Sequence, residues 1–267
     1  MGAALKVGGF AALGALWLNL AAVAGGTQDG VIALDAAVLI TRSAREALSS
    51  FNSILLVLGL LSVVLGSFAA LKQTDVRRLM GYGAIAHVGF MLLAFGLPHD
   101  DQLSLGSLWY YLVGYALATA GALTAFAAFS GRGDLRCDLV GLAGQGRDQP
   151  FLGLVLTIFL ASLAGLPPTV GFLGKFLVFA GLIDKGRAVV AVFAVIMAVV
   201  GAAFYLRLVV ALWAGHAREP AKASAPVLDR WILAAAAIAV LVLVIWSDAL
   251  VKRAPSMMVA QATTGAR

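Results

Sequence analysis

Charge is scarce in this chain. Only 12% of its 267 residues are Asp, Glu, Lys or Arg, about half the roughly 25% usual for a soluble domain. Hydrophobic residues make up 62%. That balance excludes a disordered chain, a coiled coil and a nucleic-acid-binding module, and the few charges cannot cover the surface of a water-soluble globule. Cysteine is nearly absent. The single Cys137 leaves this chain without a disulfide framework, an iron–sulfur cluster or a cysteine-based zinc site of its own, since each needs more than one thiol. None of the 13 Asp and Glu residues falls inside a long apolar run, so the usual carboxylate-lined ion site is missing from the pattern. What fits is an all-α polytopic membrane protein. In such a protein the formal net charge of +6 marks cytoplasmic loops rather than an anionic partner.

A membrane-crossing helix needs about 20 mostly apolar residues, because the hydrocarbon core is about 30 Å thick and the rise is 1.5 Å per residue. Seven segments qualify: 3–24, 51–71, 79–97, 105–129, 151–183, 188–214 and 231–247. They predict about seven transmembrane helices in a single domain, 1–267. The loop 131–150 is rich in Gly and Asp, 215–230 reads as a linker, and 252–267 is expected to be a flexible tail. Nine basic residues fall on one side (Lys72, Arg77, Arg78, Arg132, Arg136, Arg147, Arg218, Lys222 and Arg230) and seven on the other (Arg42, Arg45, Lys185, Arg187, Lys252, Arg253 and Arg267), a narrow bias. The 98–104 loop on the other side has Asp100 and Asp101 and neither Lys nor Arg. The positive-inside rule therefore places the N-terminus in the cytoplasm and the C-terminus outside. Residues 1–24 have a rival reading: Lys6, an apolar run and Ala22-Val23-Ala24 also fit a cleavable signal peptide.

Basic groups inside apolar spans are costly, so each is a functional candidate. Lys175 is the strongest. It lies in 151–183, too long for one straight crossing, and the segment holds Gly165-Leu166-Pro167-Pro168-Thr169 near its middle. Two adjacent prolines remove two backbone donors and break a helix. The expectation is two half-helices around an unwound stretch, with Gly171 and Gly174 adding flexibility, an arrangement that marks ion paths in transporters. Burial disfavours the charged form of a lysine, which suits a group that must release a proton. His87 sits mid-span in 79–97, and histidine as a residue type can exchange protons at working pH; it reads equally as a neutral, hydrogen-bonded histidine. Lys6 reads by itself as an interfacial anchor. Arg207, in the sixth span, reads as a snorkelling anchor or as a permanent counter-charge.

Two stretches carry a family resemblance. One runs from Leu71 to Phe90, LKQTDVRRLMGYGAIAHVGF; the other from Leu160 to Phe179, LASLAGLPPTVGFLGKFLVF. Together, in this order, they resemble the antiporter-like membrane subunits of proton-pumping NADH:quinone oxidoreductase, respiratory complex I. The N-type is the best match. The M-type usually has glutamate where Lys175 stands, and the L-type carries a long lateral helix that nothing here could form.

The resemblance implies a subunit of about fourteen spans in two inverted five-helix repeats, with these seven resembling the last seven. Residues 1–24 would be the linking helix, 51–214 the five-helix repeat and 231–250 the last span. It implies that Lys175, His87 and Lys6 carry protons, and it raises Lys6 from anchor to relay. The first repeat, with its Glu and Lys pair, has no counterpart here. By the same resemblance this chain holds no cofactor and no redox site of its own. NADH, flavin, iron–sulfur clusters and quinone would belong to other subunits of the translocase. Its partners would be other membrane subunits, antiporter-like ones among them, and the lipid of a bacterial inner membrane. Two alternatives stay open: an Mrp-type cation/proton antiporter or membrane-bound hydrogenase subunit, and a scaffold or half-subunit that does not pump.

Overall fold

In lipid a chain must satisfy its own backbone polar groups, and for apolar runs of this length the helix does so within one segment. The computed structural model describes residues 34–97, 102–130, 138–214 and 227–247. The expected span 3–24 with Lys6, most of the 215–230 linker, and the tail 252–267 lie outside the described residues. The described helices are α1 (Leu34–Leu71), α2 (Val76–Phe95), α3 (Gln102–Ser130), α4 (Leu139–Leu142), α5 (Gln145–Asp148), α6 (Pro150–Ala164), α7 (Val170–Asp184), α8 (Ala188–Trp213) and α9 (Val227–Val242).

Four of these are long and apolar enough to cross a membrane: Ser49–Leu71 within α1, α2, Gly106–Phe129 within α3, and α8. α6 and, from Arg230 on, α9 are shorter apolar helices. Helix ends depart from the hydropathy reading for local reasons. α1 runs back to Leu34, well before the apolar window, because Ala, Leu, Arg and Glu sustain a helix whether or not lipid surrounds it. α2 starts at Val76 rather than 79. The Asp75 carboxylate accepts from the backbone N–H groups of Arg77 (2.8 Å) and Arg78 (3.1 Å), so it caps the helix at that point. The 131–150 loop contains two short helical turns, α4 and α5. Asp138 starts the first by accepting from Gly141 N–H at 2.7 Å. This loop is tied to the one before α2, for Leu139 N–H donates to Thr74 C=O at 3.0 Å. α9 stops at Val242, and the expected span 231–247 continues beyond it as turns over 243–246, with Ser247 helical again.

Packing is closest between α1 and α2, through small residues. A Cβ on Gly66 would stand 2.5 Å from Ala86 N, and one on Gly89 would stand 2.7 Å from Gly59 O. Close backbone approach of this kind is how membrane helices gain van der Waals contact where lipid supplies no hydrophobic drive. The other face of α1 shows Ile54, Val57, Leu58, Leu61, Leu65 and Phe68, each about half exposed or more. α8 likewise exposes Val192, Ile196 and Val199. In contrast, α2 and α3 lie deeper, and both pack against α7. The polar side chains of interest fall where α2, α3, α7 and α8 meet.

Candidate functional site

The expected break is present. α6 ends at Ala164 and α7 begins at Val170, so the 151–183 segment is two helices of 15 residues each. Each is about 22 Å long, short of a full crossing. Gly165 takes the left-handed conformation, φ +82°. Its N–H donates to Ser162 C=O, and Leu166 N–H donates to Ala161 C=O at 2.9 Å. This double closure is a Schellman cap. It leaves the final carbonyls of α6 without partners from the cap. Lys175 supplies them: its Nζ donates to Leu163 C=O and to Ala164 C=O, both at 2.9 Å. A cation here also meets the negative end of the α6 dipole. Gly165 is required twice. Its φ suits glycine, and a Cβ would stand 3.1 Å from Lys175 Nζ.

The far side of the break is built as tightly. Thr169 caps α7 by accepting from Phe172 N–H at 3.4 Å. Gly171 N–H donates to Ser162 Oγ at 3.2 Å, and a Cβ on Gly171 would stand 1.8 Å from Ser162 O. The Pro167–Pro168 peptide is cis. Gly171 and Gly174, expected to loosen this stretch, instead lie within regular helix α7. They correct that reading: their lack of a side chain admits close neighbours, Ser162 for Gly171 and Tyr111 for Gly174. Lys175 itself is 5% exposed, which rules out an ammonium that snorkels to water.

His87 is 3% exposed, in the body of α2. Its Nδ1 and the Tyr111 hydroxyl are 2.8 Å apart in a hydrogen bond whose donor depends on the imidazole tautomer. The imidazole lies among three tyrosine rings, with centroids at 4.7 Å for Tyr115, 5.9 Å for Tyr205 and 6.1 Å for Tyr111. Gly83, one turn earlier, makes room for Tyr205, since a Cβ there would stand 2.6 Å from the hydroxyl.

Lys175 and His87 share a neighbourhood through two aromatic side chains. Phe90, one turn beyond His87 on α2, has its ring centroid 5.6 Å from Lys175 Nζ, within the range of a cation–π attraction. Tyr111 bonds His87 and packs against Gly174, the residue before Lys175. Lys6 lies outside the described residues, so its relation to the pair is not part of this geometry. The sequence reading missed the tyrosines. A signal was there: Tyr111 and Tyr115 are four residues apart in an apolar helix, hence on one face, and a buried phenol needs a polar partner.

Arg207 makes a contact that the sequence did not point to. From α8 its Nη1 donates to Leu71 C=O at 2.7 Å and its Nη2 donates to Gln73 C=O. It therefore closes the C-terminus of α1 and the loop that follows.

The family described as "NADH:quinone oxidoreductase/Mrp antiporter, TM" matches residues 13–201. NADH-quinone oxidoreductase subunit N 1 of Solibacter usitatus is 36% identical over 167 residues, 62% of this chain and 34% of that protein. A protein of the same name from Roseiflexus castenholzii is 39% identical over 173 residues, 63% of this chain and 32% of the relative. The chain thus spans about a third of the length of the curated relatives it matches. Among solved structures, a chain of respiratory complex I from Thermus thermophilus with bound aureothin superposes with a TM-score of 0.66 at 34% identity, covering 79% of this chain and 48% of that one. A chain of the Mrp complex from Dietzia sp. DQ12-45-1b gives a TM-score of 0.68 at 16% identity, covering 79% and 47%, which is a likeness of fold. With the broken helix, its buried lysine and a family match across most of its length, this chain belongs to the NADH:quinone oxidoreductase/Mrp antiporter transmembrane family.

Proposed function

We propose that this chain is an N-type membrane subunit of a proton-translocating NADH:quinone oxidoreductase. In this reading it moves protons across the membrane while other subunits pass electrons from NADH, through flavin and iron–sulfur clusters, to quinone. This chain would then contribute to the enzyme as a translocase without a redox site of its own. Lys175, His87 and Lys6 carry the proton. The membrane is a bacterial inner membrane, with the loop at Lys72 on the cytoplasmic side and the C-terminus outside. Its partners are other membrane subunits, antiporter-like ones among them.

The observation that carries the reading is the placement of Lys175: a buried amino group that donates to two main-chain carbonyls at a helix break. The partners of this amino group are neutral dipoles, so in the proposed relay no carboxylate competes for its proton. Removing the proton leaves two N–H donors but takes away the charge that strengthens both bonds, so protonation and the tightness of the break are linked. Lys175→Ala tests this in membrane vesicles carrying the assembled complex. The expected result is NADH-driven proton uptake lost while the chain remains in the complex. Uptake equal to the unmodified complex would sink the relay and favour a scaffold.

The family name and the fold likeness to an Mrp complex favour one second reading, a cation/proton antiporter subunit. It predicts Na⁺-dependent proton movement without NADH, and the same vesicles separate the two.

A further inference from the structure

We infer that Tyr111 is a positioning residue that couples the Lys175 half-helix to His87, its hydroxyl holding the imidazole while its ring rests on Gly174. The inference rests on the proposed roles of Lys175 and His87.

Tyr111 is 1% exposed and touches both parts of the site at once. Its hydroxyl is 2.8 Å from His87 Nδ1. Its Cδ2 stands 2.7 Å, and its own Cα 3.2 Å, from where a Cβ of residue 174 would be. α7 therefore runs against the ring and the backbone of α3 with no side chain between them. Gly174 is the residue before Lys175 on the same helix. If Lys175 releases the α6 carbonyls and α7 shifts, the ring of Tyr111 must follow, because close-packed contacts transmit displacement. Movement of the ring carries the hydroxyl away from Nδ1, which alters which imidazole nitrogen holds a proton. Among the described residues, other titratable groups seen near His87 are Tyr115 from α3 and Tyr205 from α8, with Lys175 of α7 across Phe90. α1 brings none between Ser49 and Leu71. Of these groups, Tyr111 is the one seen in contact with both α2 and the Lys175 turn of α7.

The test uses the intact complex in vesicles, with NADH oxidation and proton uptake followed in parallel across a range of pH. Tyr111→Phe keeps the ring and removes only the hydroxyl. Proton uptake per NADH is expected to fall by roughly tenfold, with its pH profile displaced from that of the unmodified complex. Gly174→Ala keeps every hydroxyl and pushes the ring, and is expected to give the same displaced profile. Tyr110→Phe is the control: that neighbouring hydroxyl donates instead to Leu243 C=O at 3.3 Å, and its loss leaves the profile in place. Lys175→Ala separates the two levels of the argument. If it abolishes uptake while Tyr111→Phe superimposes on the unmodified complex, the coupling is wrong and the relay stands. If Lys175→Ala leaves uptake unchanged, the relay is wrong and the coupling goes with it. A Tyr111→Phe chain missing from the complex would make the hydroxyl a folding requirement, and that too overturns the positioning role.

Discussion

Two helix C-termini in this protein end on a basic side chain supplied by another helix. At the end of α6 the donor is Lys175, buried, bonded to Leu163 and Ala164. At the end of α1 it is Arg207, half-buried, bonded to Leu71 and Gln73. Both satisfy carbonyls that the helix cannot satisfy itself and both sit at the negative end of a helix dipole. The chemistry of the two donors differs. Guanidinium keeps its proton under any condition a membrane meets, and its fork holds two acceptors in fixed directions. Lysine's amino group is a single point donor whose charge can be given up, and without it the same two bonds are weaker. The same terminal contact is thus made by two different chemistries. In the proposed relay the clamp at the broken helix is the releasable one and the clamp at the end of α1 the permanent one.

Exchanging the two chemistries breaks the comparison most directly. Lys175→Arg keeps a positive charge at the break but cannot give up its proton. NADH-driven proton uptake is expected to fall by about a hundredfold, with the chain still assembled. Uptake retained in Lys175→Arg would show that charge alone, without release, is enough. Next in size is the geometry that brings the clamp into place. Gly171→Ala sets a Cβ against Ser162 O and is expected to destabilise the chain by about 3 kcal/mol, read as a lower unfolding temperature of the detergent-solubilised complex. Arg207→Ala leaves the carbonyls of Leu71 and Gln73 unpaired and should cost about 2 kcal/mol by the same measurement. Proton uptake per assembled complex should stay unchanged, and Arg207→Lys should recover part of the stability. An Arg207→Ala complex that assembles well but does not pump would erase the distinction between the clamps. The smallest effect is expected from Asp75→Ala, which removes two hydrogen bonds at the start of α2. It should cost about 1 kcal/mol, seen as faster amide exchange over residues 76–78.

Which parts of this were readable in the residues follows from the range of the forces involved. The break between Ala164 and Val170 was readable because two prolines act on their own backbone, whatever surrounds them. Lys175 and His87 stood out because a polar group in an apolar run is anomalous by composition alone. Helix ends were less readable. The N-cap at Asp75 moved the start of α2 by three residues, and the helix of α1 outran its apolar window. The roles of Gly171 and Gly174 were misread, since a glycine in sequence looks the same whether it bends a chain or admits a neighbour. The partners of Arg207 were hidden for a related reason. Leu71 and Gln73 are more than 130 positions away, and no local pattern names them.

The sequence by itself determined that the chain is helical, that it belongs in a membrane, where one helix breaks and which side chains are too polar for their surroundings. These depend on composition, periodicity and proline stereochemistry, which act over a few residues. Tertiary structure alone decided that Lys175 closes the end of α6, that Arg207 closes the end of α1, and that Tyr111 joins His87 to Gly174. Those contacts link residues distant in the chain, and they form only when packed helices exclude water and leave carbonyls and hydroxyls no partners but one another.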